Sequence, residues 1–381
     1  MLDIFNLKTE PFGLDISDLS LKITKLKRKK KYFDLTFFSE NEIKPGVIRE
    51  GEIKDEKKLT EAIVQAIKMS GGRRLGKYVV ASLPEEKAFL QVIQLPRMSE
   101  DDLDSAVVFE AENYIPLPID QVYLDYEVIT PLHNHLDHFD ILLAALPRKI
   151  VDSYVTCLRS AGLVPKALEI ESLAIARSLV QQEKSVQPLL LIDLGATRTS
   201  FIVFAGHSIR FTSSIPVSGK HFTQIIAKSL GVKEGEAERL KMKYGLEEKV
   251  RLKIGGENEE GSSKSTVEKE RGKIFEALVP ALVDLVQQIK KHLEFYQTHS
   301  SHEHLGSNST EISKILFCGG GANLKGLAEL LALELRLPVE LGNPWTNILE
   351  EGQGGAKGLS LEKSLGYATA LGLALRGIRD S

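Results

Sequence analysis

LLLIDLGATRTSFIVF, Leu189 to Phe204, carries four apolar residues into an aspartate, breaks at Gly195, and returns through Thr197 and Thr199 as a second apolar run. A short apolar run closed by a glycine turn reads as a buried strand, a tight turn and a return strand. The chain opens on the same device. Phe12 to Leu26 carries Asp15-Ile-Ser17-Asp-Leu-Ser20 into a strand alternating through Leu19, Leu21 and Ile23, and a third strand follows around Tyr32 to Phe38. Both halves place an aspartate at the end of an apolar strand, ahead of a hydroxyl-bearing turn. The predicted fold class is therefore α/β, with one pattern used twice.

Working outward, Leu59, Ile63, Ala66 and Ile67 recur at helical spacing before Gly71-Gly72, and Tyr78 to Leu83 reads as a strand closed by Pro84. Phe89 to Leu95 is a strand. Ser99, with Asp102 three residues on, resembles a helix cap and opens a helix through Phe109 and Ile115 that Pro116 and Pro118 stop. Strands Val122 to Ile129 and Phe139 to Leu146 flank a histidine-rich turn, and Val151 to Ala161 is amphipathic, so this stretch reads as a small α+β module. In the second half, helices are expected at Phe222 to Leu230, Glu234 to Tyr244, and along a face with Phe275, Leu278, Val279, Leu282, Val286, Ile289 and Leu293. Polar loops are expected at 255–266 and 299–309. Ile315 to Phe317, the glycine run Gly319-Gly320-Gly321, and helix Leu327 to Leu335 follow, with a small-residue helix at Gly366 to Leu375.

At 381 residues with 43% hydrophobic and 27% charged composition, two or three globular domains are expected. A net charge of -3 gives no general attraction to nucleic acid, and the basic run Lys25 to Lys31 reads as a solvated hairpin turn. Cys157 and Cys318 are too few and too distant in sequence for a disulfide framework, which fits a reducing compartment. No stretch reaches the roughly 18 apolar residues that span a bilayer. The leader residues Leu2, Ile4, Phe5 and Leu7 are too few for firm interfacial binding, so any membrane contact is expected through a partner.

Two facing hairpins of this kind can clamp a polyphosphate. Turn amides and hydroxyls bind phosphate oxygens, while paired carboxylates hold hydrated magnesium that offsets the phosphate charge. Glycines at 319 to 321 let the backbone approach a ligand where a strand meets a helix, or simply form that turn.

The order of these pieces resembles the actin, Hsp70 and FtsA ATPases, whose two phosphate loops and adenosine glycine motif follow one another in the same way. Within that superfamily the resemblance is to the type IV pilus assembly PilM family. It is carried by FGLDISDLSLKI (12–23), GEIKD (51–55), VIQLPRMSEDDLDSAVVFEAENYIPLPIDQVYLDY (92–126), LEIESLAIARSL (168–179), LIDLGATRTSFIVF (191–204), AERLKMKYGL (237–246) and ILFCGGGANLKGL (315–327). The resemblance implies an actin-like (ribonuclease H-like) duplicated fold, with two lobes around a nucleotide cleft. Residues 1–84, 165–186 and 362–381 would form one subdomain, 85–164 an inserted SHS2-type module, and 187–361 the second lobe. ATP and magnesium are the implied cofactors, with hydrolysis weak or absent.

Residue by residue, the resemblance implies that Asp15 and Asp193 order magnesium and its waters, and that Ser17, Ser20, Lys22, Gly195, Thr197 and Thr199 surround the phosphates, unless Lys22 points outward. Glu171 stands where such ATPases keep a water-polarising group. Glu238 and Lys241 match ribose and adenine contacts, joined by Gly319, Gly320 and Gly321, or else form an ordinary surface ion pair. Ser17 replaces a usual glycine, and Asp18 adds a charge that would cost ATP on the order of a kcal/mol unless it turns away or reaches the metal. The implied partner is the inner-membrane protein PilN, docking by its N-terminal cytoplasmic peptide and recruiting the chain to the cytoplasmic face of the inner membrane. Other pilus assembly proteins and self-association are further expectations. Val92, Ile93 and Leu95 are the candidate peptide contacts, or they pack the module itself.

Three other readings fit parts of the sequence. His133-Asn-His135-Leu-Asp137-His138 fits the HxHxDH zinc pattern of metallo-β-lactamase-fold hydrolases, but that fold needs further ligands on later strands, and the turn reads better as a solvated loop. His299, His302 and His304 receive the same reading. An FtsA-like division protein would carry a terminal amphipathic helix, whereas this chain ends just after its small-residue helix. A sugar or acid kinase would need a substrate aspartate that cannot be located.

Overall fold

In a computed structural model the described residues are 10–70, 75–132, 137–246, 266–299, 311–350, 353 and 355–380. The leader, Gly71-Gly72, His133, His135, most of both polar loops, His302 and His304 lie outside them.

The first lobe begins with an antiparallel meander, β1 (Phe12–Ile16), β2 (Ser20–Lys29) and β3 (Tyr32–Glu42), and a two-residue hairpin, β4 (Ile48–Arg49) with β5 (Glu52–Ile53). Helix α1 (Glu56–Met69) is capped by Asp55, whose carboxylate accepts from the Lys58 amide, and it buries Leu59, Ile63 and Ala66, as their spacing predicts. Strand β6 (Tyr78–Leu83) then runs parallel to β1. The inserted module follows: β7 (Phe89–Pro96), α2 (Glu100–Ala111), β8 (Val122–Val128) and β9 (His138–Pro147), in sheet order β7-β9-β8. Ser99 does cap α2, accepting from the Asp102 amide. The helix stops at Ala111, however, short of the expected Ile115, because a turn over 112–114 precedes Pro116. Helix α3 (Arg148–Ser160) buries Ile150, Val151, Tyr154, Cys157 and Leu158 in the first lobe's core, not in the module's. Strand β10 (Val164–Ile170) completes a sheet of order β10-β6-β1-β2-β3, and α4 (Glu171–Leu179) leaves its end.

The second lobe repeats the topology. Strands β11 (Ser185–Leu194), β12 (Thr199–Gly206) and β13 (Ser208–Ile215) form the meander, and helices α5 (Gly219–Leu230), α6 (Glu234–Tyr244) and α7 (Thr266–His299) cross over to β14 (Lys314–Cys318). Helix α8 (Leu327–Leu335) and β15 (Val339–Leu341) close the sheet as β13-β12-β11-β14-β15, and α9 (Ala368–Arg379) returns to the first lobe. In each sheet an antiparallel meander continues into two parallel strands, so the central strands are covered on both faces and read as unbroken apolar runs. On α7 the buried face includes Ile274, Leu278, Leu282, Leu285 and Ile289, while Val279, expected on it, is 37% exposed.

Helices α4 and α9 join the lobes. Ile175, Ala176 and Leu179 of α4 pack against the second sheet through Leu191, Ile202 and Phe204. On its other side, α4 meets α9 so closely that a Cβ on Gly372 would stand 1.9 Å from the Ala174 carbonyl oxygen. That approach explains the small residues of the last helix. Arg210 of β13 reaches Asp140 of β9 at 2.9 Å, both side chains nearly fully buried, and ties the inserted module to the second lobe.

Candidate functional site

A cleft of about 760 Å³ opens between the lobes, lined by both hairpins, the first residue of α4, the starts of α5 and α6, and the glycine run after β14. That volume suits a ligand of nucleotide size.

Asp15 stands opposite Lys22 in the β1–β2 register, and Asp193 opposite Ser200 in β11–β12. The Ser82 hydroxyl donates to Asp15 at 3.3 Å and accepts from the Ile16 amide at 2.8 Å, so β6 fixes the first carboxylate. Burial pushes the Asp15 carboxyl above its usual range, with Lys22 pulling it back. Burial likewise pushes Asp193 up to about 6, against the Lys22 charge and helped by Asp15. Lys22 faces inward and lines the cleft, its Nζ 4.0 Å from Glu40. Glu171 begins α4, and burial, then Asp15, Glu86 and Asp193, hold its carboxyl well above the ordinary range. Like charges pressed into one desolvated site hold their protons to higher pH than free carboxylates do.

The first turn is internally satisfied. The Ser17 amide donates to the Ser20 carbonyl at 3.0 Å, and the two hydroxyls lie 3.0 Å apart at the cleft wall. Asp18 lines the cleft, and its carboxylate is held by the hairpin: it accepts from the Glu50 and Gly51 amides at 3.0 and 3.1 Å, capping the β4–β5 turn. In the second turn Gly195 donates to the Arg198 carbonyl at 2.9 Å, and the Gly195 carbonyl accepts from Gly219 at 3.0 Å, which seats the start of α5 on the hairpin. Thr197 lines the cleft. Thr199 does not: it is buried, and its hydroxyl donates to the Val217 carbonyl at 2.7 Å, so its expected place at the phosphates is corrected to a structural one.

Glu238 and Lys241 are not an ordinary surface pair. Nζ of Lys241 is buried 2.7 Å from Glu238 and donates to the Gly219 carbonyl and the Thr223 hydroxyl, each at 2.8 Å; Thr223 also donates to Glu238. One lysine thus clamps α6 to the first turn of α5. Gly319 has φ +84° and abuts Asp193, while a Cβ on Gly320 would meet nothing within 4 Å, leaving that backbone open to a ligand.

Of the candidate peptide contacts, Ile93 and Leu95 are buried in the module's own core with Leu103 and Val107, so for these two the packing alternative replaces the peptide contact; Val92 is partly exposed. Asp137 and His138 of the histidine-rich turn are described: His138 lies 2.9 Å from Asp137 and 3.4 Å from Asp140. Two cleft residues escaped the sequence reading. Arg198 pairs with Glu86 across the lobes at 2.9 Å and donates to the Ser214 hydroxyl. The arginine sits inside the quoted GATRT turn, so its position was visible, but its partner 112 residues away was not.

The profile of the type IV pilus assembly protein PilM family matches residues 13–255. The chain belongs to that family. A PilM-PilN type IV pilus biogenesis complex aligns with a TM-score of 0.77 at 28% identity, over 97% of this chain and 99% of that one. The profile of the cell division protein FtsA matches 190–372. FtsA of Pseudomonas aeruginosa is 26% identical over 229 residues, 58% of this chain and 50% of that protein, and FtsA of Escherichia coli K12 is 23% identical over 199 residues, 50% and 45%. The chain spans about half the length of the curated relatives it matches. The ethanolamine utilization protein EutJ of Carboxydothermus hydrogenoformans aligns at TM-score 0.53 and 14% identity (96% of this chain, 89% of that one), and MreB5 of Spiroplasma citri, bound to ADP, at 0.50 and 13% (94% of each). The PilM family fold here is actin-like, with the module at β7–β9 as its SHS2-type insert.

Proposed function

We propose that the chain is the ATP-binding component of a type IV pilus assembly machine. It holds MgATP in the interlobe cleft and docks the N-terminal cytoplasmic peptide of a PilN-like inner-membrane protein, acting as a scaffold at the cytoplasmic face of that membrane. The observation that carries the nucleotide part is the convergence of two aspartates, Asp15 buried and Asp193 half-buried, from two equivalent hairpins on one cleft beside an open glycine backbone. The residues present fit the ligand. Ser17, Ser20, Gly195 and Thr197 would face the phosphates with Lys22 between the lobes. Glu238, Lys241 and Gly319 to Gly321 would meet the nucleoside, and Asp15 and Asp193 would hold a hydrated magnesium. That cation would supply the positive charge the cleft lacks, since carboxylates outnumber cations along its wall. Burial holds the Glu171 proton above the ordinary carboxylate range, so less of the residue is available as the free base, which accords with slow hydrolysis or none. Glu171→Gln is expected to remove any turnover and leave binding intact.

The peptide part follows from family membership and from the solved complex that aligns over nearly the whole chain. Fluorescence anisotropy of a labelled PilN N-terminal peptide tests it: micromolar or tighter binding is expected, weakened about tenfold by Val92→Glu, a change of about 1.4 kcal/mol. No binding with or without MgATP would overturn the partner assignment, and unchanged affinity in the variant would move the docking site off β7. A second reading, an FtsA-like protein that polymerises at the membrane, is favoured by the FtsA relatives. Nucleotide-dependent pelleting separates it from a peptide-bound scaffold.

A further inference from the structure

The β2–β3 hairpin runs past the end of β1, whose register with β2 stops at Thr24, and carries six cations in the seven residues Lys25 to Lys31. Its underside is fixed. Leu26 and Phe33 are buried against Leu375 and Ile378 of α9, and the Arg28 guanidinium donates to the Ile378 carbonyl at 3.1 Å while lying over the Phe33 ring. Its tip faces outward: Lys27, Lys29, Lys30 and Lys31 are exposed, and of these, among the described residues, only Lys29 has an acidic partner, Asp34 at 3.2 Å. Lys30 occupies the left-handed region at φ 52°, where glycine or asparagine would sit without strain. Beside the hairpin, Met69 is 72% exposed and shares a shallow hollow with Lys25 and Lys27, although Glu10 lines it too.

We infer that this hairpin tip is an electrostatic docking surface for an anionic phospholipid bilayer. In a chain of net charge -3, a compact cluster of cations held on a rigid support, at a backbone cost at Lys30, is a local device and not a reflection of composition. Single-stranded nucleic acid would ask for a groove with several stacking rings, whereas a compact convex tip with one exposed thioether nearby suits a flat charged surface. Each lysine near an anionic leaflet strengthens binding by about fivefold, so the tip alone binds weakly and reversibly. The inference rests on the proposed membrane partner for its setting: peptide and hairpin together would hold the chain by two weak contacts, each raising the other's effective concentration.

The test is cosedimentation of the full chain, without peptide, with phosphatidylglycerol-containing vesicles and with pure phosphatidylcholine vesicles at low and high salt. Binding only to the anionic vesicles, lost with salt, is expected. Lys27→Ala/Lys30→Ala/Lys31→Ala should weaken it about a hundredfold at unchanged melting temperature. Lys30→Gly should weaken it about fivefold while raising the melting temperature, opposite signs that a purely structural turn would not give. Equal binding to both vesicles, no binding at low salt, or an unaffected triple variant would overturn the inference. So would duplex DNA binding through the same lysines more tightly than the vesicles do. Peptide affinity measured on the same triple variant keeps the two proposals apart: retained peptide binding with failed vesicle binding removes the hairpin inference alone.

Discussion

Gly319 lies so close against Asp193 that a Cβ on the glycine would stand 2.3 Å from the Asp193 Oδ1, and its φ of +84° disfavours any side chain. Strand β14 therefore delivers its turn directly onto the carboxylate of β11. Gly319→Ala is expected to destabilise the protein by about 2 to 3 kcal/mol, from left-handed strain plus overpacking, as a lowered denaturant midpoint. Gly320→Ala should leave the midpoint within about 0.5 kcal/mol and instead weaken nucleotide binding, since its methyl would project into open space.

Asp193, with its carboxyl raised to about 6, binds its proton more tightly in the folded than in the unfolded chain. An acid raised in this way stabilises fully below its unfolded pKa near 4 and loses that contribution as pH rises through about 6. Free protein should thus lose stability between pH 4 and 6.5 through this residue. Asp193→Asn should flatten that part of a melting-temperature profile and be at least as stable as wild type at pH 8. The same variant should lose the stabilisation that MgATP gives, because the amide cannot replace a carboxylate facing the metal.

Asp18 caps the Glu50-Gly51 turn, and the two amide dipoles it accepts from offset part of its charge at the cleft wall. Asp18→Ala is expected to cost about 1 to 2 kcal/mol in chemical denaturation. MgATP affinity should change by less than about twofold, or 0.4 kcal/mol, in calorimetry.

Arg210 and Asp140 are almost wholly buried between the inserted module and the second lobe. Removing only the arginine leaves a buried carboxylate short of its countercharge, and Arg210→Met should destabilise by about 3 kcal/mol. Adding Asp140→Leu should recover part of that loss in the same unfolding assay, a coupling that a double-mutant cycle measures.

Much of this was legible because it is local. The strand-turn-strand pattern at Leu189 to Phe204, the Ser99 cap and the spacing of Leu59, Ile63 and Ala66 depend on neighbours a few residues away, and each stands as read. The misreadings depend on distant partners. Apolar periodicity on α7 cannot tell that Val279 faces solvent while Leu278 and Leu282 are buried. Hydroxyls at Thr197 and Thr199 look alike in sequence, but only Thr199 finds the Val217 carbonyl. Asp18 looked hostile to phosphate because its acceptors, the Glu50 and Gly51 amides, lie 32 and 33 residues on. Ile93 and Leu95 looked surplus to a small module because the face of α2 that covers them was not resolvable from spacing alone.

The most direct test of the nucleotide cleft is calorimetric titration of ATP with magnesium into the wild-type chain and into Asp193→Ala, each repeated with the magnesium chelated. Saturable one-to-one binding that requires both magnesium and Asp193 is expected, with proton release below pH 7 as the raised carboxyls ionise around the cation. Absence of binding in the folded wild-type protein, or binding indifferent to magnesium and to Asp193, would contradict it.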